Sequence, residues 1–261
     1  MIILPSLPIV PEHLNPHTLL IYGGPKIGKT TMIPKLPGKY LLHDVDIGGS
    51  GSDFVTAVKI KSPTLGHFEE TLNVIKLQKE PPYDFYALDG LDTIEAWAER
   101  SATQKFKKSV LGKNFEGESV LELPKGGGFH YFWNEFFRII KMTHKIAKYV
   151  IFIGPLANKI ITRNGDQIQN DPRLVEKLGI KGATEVNQGV EVMSKNLDLT
   201  GKLSVMIMRA VDATGYVYRN KKGELRISFN TAEELDCGTR VPHLVGQDIV
   251  FDDWRKIYVN T

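Results

Sequence analysis

Between Ile21 and Asp46 the chain reads IYGGPKIGKTTMIPKLPGKYLLHDVD. Gly23, Gly24, Pro25, Lys26, Ile27, Gly28, Lys29, Thr30 and Thr31 carry the pattern G-x-x-x-x-G-K-[ST], directly after the apolar run HTLLIYG (17–23). Phosphate binding needs that order. Glycines let backbone N–H groups converge on phosphate oxygens, Lys29 reaches the β and γ phosphates, and the Thr30 hydroxyl ligates Mg²⁺. A helix should open near Lys29, yet Pro34 and Pro37 stop it early, because proline lacks the amide hydrogen and clashes with the preceding turn. The stretch predicts an ATP-binding loop on an unusually short helix.

Working outward, KYLLHDVD (39–46) and YDFYALDG (83–90) are two more apolar runs ending in aspartate, and VIFIGP (150–155) is a fourth. All four read as strands buried on both faces of a parallel sheet. Between them, TLGHFEETLNVIKLQKE (64–80) spaces Leu65, Phe68, Leu72 and Ile75 as one helical face, and LDTIEAWAERSA (91–102) and HYFWNEFFRIIKMTHKIAKY (130–149) are helical too. Strands alternating with helices imply right-handed crossovers and a mostly parallel α/β sheet flanked by helices and covered on both faces. Towards the end, DATGYVYR, NKKG and ELRISF (212–229) predict an antiparallel hairpin with Gly223 in its turn. The loop-like stretches are Ser101 to Phe129 and Asn158 to Arg173.

Composition bounds the rest. With 261 residues, 42% hydrophobic and 24% charged, the chain suits one sizeable domain, and disordered or collagen-like classes drop out. Residues 1–17, with Pro5, Pro8, Pro11 and Pro16, read as an extended N-terminal arm lacking a basic leader, and 18–261 as the domain. No segment approaches a membrane span of ~20 apolar residues, which predicts a soluble, cytoplasmic protein. The single cysteine, Cys237, fits a reducing compartment. A net charge of +3 leaves the case for nucleic acid to local clusters.

Several polar residues bear on chemistry. Asp89, at the end of its strand, is placed to hold Mg²⁺. Asp44 and Asp46 end the strand after the phosphate loop, where carboxylates face the γ-phosphate and orient the attacking water, and Asp46 is the preferred base. Asp92 with Glu95 fits either a helix cap or a further catalytic carboxylate. Lys105, Lys107, Lys108, Lys113 and Lys125 form a basic segment suited to a phosphate backbone, and Lys159 and Arg163 are a second basic pair. Phe129, Tyr131, Phe132, Trp133, Phe136 and Phe137 are dense enough for base stacking, but Phe132, Phe136, Ile139, Thr143 and Ile146 follow a single helical stripe, which predicts core.

The phosphate loop, the helix broken by IPKLPGK and the strand running into DVDIGG together resemble the RecA-like AAA-type P-loop ATPases common in phages, whose close relatives include the Sak-type single-strand annealing recombinases. The resemblance spans about Thr18 to Leu244. It implies a RecA-like α/β core, ATP and Mg²⁺ as cofactors, single-stranded DNA as partner, and a homo-oligomeric ring or filament working in the host cytoplasm, with a single-strand-binding protein as a further partner. The family places a glutamate before the glycine pair, where this chain has Asp46 and Ile47. Its sensor position falls near Asn158, and a late basic position resembles Arg240, which would touch nucleotide in the same or a neighbouring subunit. The expected function is ATP hydrolysis, slow or DNA-stimulated, driving annealing or strand exchange. A small-molecule kinase and a non-catalytic nucleotide-switched module are the alternatives.

Overall fold

In the computed structural model, residues 13–46, 51–163, 190–232 and 235–261 are described. The four apolar runs are strands: β1 (Thr18–Gly23), β2 (Tyr40–Asp44), β4 (Phe85–Asp89) and β5 (Tyr149–Arg163). A short edge strand β3 (Lys59–Lys61), a long β6 (Val190–Leu197), β7 (Ala213–Arg219), β8 (Leu225–Ser228), β9 (Gly238–Thr239) and β10 (Asp248–Val250) complete a ten-stranded sheet among the described residues. Its order is β10-β8-β7-β1-β5-β4-β2-β3, with β6 attached to β5 and β9 to β7. From β7 through β3 the pairing is parallel, and β8 and β10 add an antiparallel edge. This is the expected mostly parallel α/β core with its C-terminal hairpin, and the strand β5 separates the phosphate-loop strand from the aspartate strand β4.

Alternation along β1 divides the core. Leu20 and Tyr22 face a cluster with Phe68, Ile94, Trp97, Phe132, Phe136 and Ile139, whereas Leu19 and Ile21 face one with Met32, Ile33, Phe85 and Trp254. The first face carries the helices α2 (Leu65–Lys76), α3 (Leu91–Lys107), α4 (Gly128–Met142) and α5 (Leu203–Ala210). The predicted aromatic stripe is core, since Phe132, Phe136, Ile139, Thr143 and Ile146 are all buried.

The second face is covered as expected, though by little helix. Its helix α1 spans just Lys29–Met32 and passes into a 3-10 turn at Ile33–Lys35, ended at Leu36 by extended backbone before Pro37. The space a longer helix would fill is taken by the C-terminal segment: Leu244, Phe251, Trp254, Ile257 and Tyr258 are buried there, and the Trp254 indole Nε1–H donates to the Met32 carbonyl at 2.7 Å. Residues 13–17 join this end, where Asn15 donates to the Val259 carbonyl and accepts from the Val259 amide, each at 2.8 Å.

Two loop expectations are corrected. Helix α3 continues through Lys107, so Ser101 to Lys107 is helix because Ala102, Thr103 and Phe106 are buried along it. The rest of that stretch is pinned by a 3-10 turn at Val120–Glu122, capped by Ser119 and Glu122. On the other side, Asn158 to Arg163 is strand, paired antiparallel with β6, and residues 164–173 lie outside those described.

Candidate nucleotide site

The loop after β1 takes its shape from two glycines and one lysine. A Cβ on Gly23 would stand 2.4 Å from the Val217 carbonyl oxygen, so β7 lies against the loop where no side chain fits. Lys26 (φ 57°) and Gly28 (φ 114°) occupy the left-handed region, turning the chain into a concave run of amides of the kind that binds anions. Ile27 packs inwards against the α1-side core, so it serves the loop through its backbone, while Pro25 and Lys26 are exposed. The Thr31 hydroxyl turns back to the Gly28 carbonyl at 2.7 Å.

Lys29 folds over this loop, its Nζ donating to the carbonyls of Gly23 at 2.7 Å and Gly24 at 2.8 Å. Burial lowers its pKa below the usual lysine range, and the charges of Asp89 and Asp92 work against that shift. The next residue joins the two sequence motifs: Thr30 Oγ1 donates to Asp89 Oδ2 at 2.6 Å. Asp89 is pushed up to about 6, chiefly by burial, with the charges of Asp44 and Asp46 adding and the Thr30 hydrogen bond and Lys29 opposing. Crowded carboxylates beside a hydroxyl are a donor set that suits a hard dication, which takes oxygen ligands and offsets the negative charge.

Asp44 and Asp46 differ in burial. Asp44 is buried, pairs in register with Asp89 across β2 and β4, accepts a short hydrogen bond from Ser52 Oγ, and takes the Asp46 amide at 3.0 Å. Asp46 itself is exposed at the end of the described strand region. Asp92 stands exposed in the first turn of α3 and caps nothing. That helix starts at Gly90, in left-handed backbone, while the Glu95 carboxylate instead accepts the Thr200 amide at 2.6 Å, which corrects the capping-box reading.

The remaining predicted residues lie apart from the loop. Arg240 follows β9, which pairs with the start of β7; its amide donates to the Asp212 carbonyl, and its Nη2 donates to the Arg209 carbonyl at 2.7 Å. Asp212 hydrogen-bonds Thr18 at the beginning of β1, so Arg240 sits at the opposite end of the strands from Gly28. Contact with nucleotide in its own subunit is thereby corrected. Lys107, Lys108, Lys113 and Lys125 are exposed, but the Lys105 Nζ is held at 2.6 Å by Glu135, whose side chain is 6% exposed. Asn158 is exposed on β5, and Lys159 and Arg163 lie further along the same strand.

One residue near the loop went unnoticed in the sequence. Arg219, the last residue of β7, places its Nη2 3.6 Å from where a Cβ on Gly28 would stand. Nothing in the local sequence marks it, because the proximity arises from the pairing of β7 with β1.

The fold and the loop define a P-loop nucleotide-binding protein whose two motifs converge at Thr30 and Asp89. A sequence model of an AAA domain matches residues 15–241, and the chain belongs to that family. Comparison with curated proteins finds no match. One similar solved structure is described as the crystal structure of the RadB recombinase, with 10% identity, a TM-score of 0.41, and coverage of 90% of this chain and 86% of that one; likeness at that level carries no function across. Among the described residues no helix is long and apolar enough to cross a membrane.

Proposed function

We propose that the protein is an ATP- and Mg²⁺-dependent RecA-like ATPase that binds single-stranded DNA, assembles as a ring or filament, and promotes annealing or strand exchange in phage DNA recombination. The nucleotide half rests on one observation, the 2.6 Å hydrogen bond from Thr30 to Asp89 beside Lys29. It brings a phosphate-loop hydroxyl and a strand-end carboxylate to one point, as a shared Mg²⁺ requires. Mg²⁺ held by Thr30 and Asp89 would supply charge neutralisation. In this reading the protein's own part is threefold: loop amides cradle the phosphates, Lys29 leaves the Gly23 and Gly24 carbonyls for the terminal phosphates, and Asp46 orients the attacking water. The DNA half is supported by the exposed Lys107, Lys108, Lys113 and Lys125 and by the resemblance of the motifs to annealing recombinases.

Turnover measured with and without single-stranded DNA tests the proposal, with Lys29→Ala as control. The expected result is Mg²⁺-dependent hydrolysis that Lys29→Ala removes while the fold persists. Unchanged turnover in a folded Lys29→Ala protein would refute the loop assignment. A nucleotide-switched module without turnover is the second reading, favoured by the engagement of Asp44 with Ser52 and by the exposure of Asp46. ATP binding without hydrolysis under all these conditions would select it.

A further inference from the structure

We propose that Arg219 is a nucleotide-contacting residue, its guanidinium taking α- and β-phosphate oxygens on the nucleoside side of the loop. The proposal rests on the nucleotide-binding reading above and adds a residue from a different part of the chain. The direction of the bound polyphosphate follows from the sheet. Strand β1 has β5, β4 and β2 on one side and β7 and β8 on the other. Thr30 meets Asp89 of β4, so the metal and the terminal phosphate lie towards that side. The rest of the nucleotide therefore runs the other way, towards β7.

Strand β7 meets it with an arginine. Val217 pairs in register with Gly23, and its side chain is buried with Met32 and Ile33 on the α1 face. Two residues on, the strand's alternation puts Arg219 on that same face, level with the loop. Its Nη2 lies 3.6 Å from the Cβ position of Gly28, while Nη1 is pinned to the Gly223 carbonyl at 2.7 Å, steadying the head from within its own hairpin. Arg219 is exposed and, among the described residues, has no carboxylate partner. A guanidinium held in place beside an anion-binding loop, with donors to spare, suits bidentate contact with phosphate oxygens. Such a contact forms equally with ATP and ADP, so its loss should weaken the binding of both by the same factor.

Titration calorimetry with Mg·ATP and Mg·ADP tests this on Arg219→Gln, which keeps an N–H for the Gly223 carbonyl and removes the charge. Both dissociation constants should rise by the same factor, about tenfold (~1.4 kcal/mol). The unfolding midpoint should stay at the parent's value, and Arg219→Lys should recover part of the affinity. Parental affinity for both nucleotides in Arg219→Gln would overturn the assignment, as would a loss confined to ATP, which would place the arginine at the γ-phosphate. If Lys29→Ala abolishes binding while Arg219→Gln does not, this inference alone fails. A parent protein that binds neither nucleotide would take the loop reading down with it.

Discussion

Replacing Trp254 with alanine tests whether the C-terminal segment does the work of the missing helix. The indole is fully buried, packs edge-on against Phe251 with ring centroids 5.1 Å apart, and donates to the carbonyl of Met32, the last residue of α1. Truncating a buried tryptophan costs about 3–5 kcal/mol through lost transfer energy and the cavity left behind. A Met32 carbonyl deprived of its donor adds about 1–3 kcal/mol if water does not reach it. These costs overlap, so a loss of about 4 kcal/mol is the working figure, a large part of a typical domain's ~5–15 kcal/mol. Trp254→Phe keeps most of the apolar volume and removes the N–H, which should cost about 1–2 kcal/mol and keeps the test readable if the alanine protein does not fold. Urea unfolding followed by circular dichroism measures both, and nucleotide affinity should fall in the same order because α1 carries Lys29 and Thr30. An alanine variant within about 1 kcal/mol of the parent would refute the claim that this segment completes the core under the loop.

Three further outcomes follow from the site and its surroundings. Asp46→Asn should slow hydrolysis while leaving Mg·ATP binding intact, whereas Asp89→Asn should weaken the Mg²⁺ dependence itself; normal turnover in Asp46→Asn with loss in Asp44→Asn would transfer the base to Asp44. Replacing Lys107, Lys108 and Lys113 with alanine should weaken binding to single-stranded DNA of any sequence and flatten its salt slope by roughly 0.7 for each phosphate that is no longer neutralised; a parental slope would make these lysines a solvated surface. For Glu135, burial alone would raise the pKa, but hydrogen bonds from Arg138, Lys105 and Ser101 outweigh it and hold the carboxyl down at about 2. A carboxylate depressed on folding stabilises above its unfolded value of 4.5, and that stabilisation is lost as pH falls towards 2. Glu135→Gln should therefore flatten the acid limb of the stability curve between those values, and an unchanged limb would show that the cluster of Glu135 with Arg138 and Lys105 is not what titrates there.

What was legible in the sequence was what local pattern encodes. The central strands announced themselves because burial on both faces demands unbroken apolar runs, and the loop because phosphate binding demands Gly23, Gly28, Lys29 and Thr30 at fixed spacing. The helical stripe of Phe132, Phe136 and Ile139 was equally readable. Pairing partners were not. Strand β5 runs for 15 residues because β6, from another part of the chain, pairs with its second half, and ANKIITR looks polar enough to be a loop without that partner. Lys105 looked like a free cation until α4 brought the Glu135 carboxylate to it. Arg240 directly follows the short strand Gly238–Thr239, which is placed by its pairing with β7.

The short helix now has a physical explanation with a functional consequence. Pro34 and Pro37 end α1 at the point where its last carbonyls would otherwise stay unpaired, and Trp254 supplies a donor to one of them from the far end of the chain. The phosphate loop is consequently held from three directions: β7 against Gly23, Asp89 on Thr30, and Trp254 on Met32. Two of the local contacts are made by groups that nucleotide would claim, since Lys29 is bonded to the loop's own carbonyls and Thr30 to Asp89. On the proposed function, Mg·ATP would have to replace those bonds with its own, so its affinity would be the difference between two bonded states and not the sum of new contacts. The Trp254 and Val217 contacts involve no atom that nucleotide claims, which leaves the loop's outline fixed while Lys29 and Thr30 exchange partners. If nucleotide draws Lys29 and Thr30 to itself, as the proposed function requires, the group released is Asp89, in register with Asp44 and the strand that leads to Asp46.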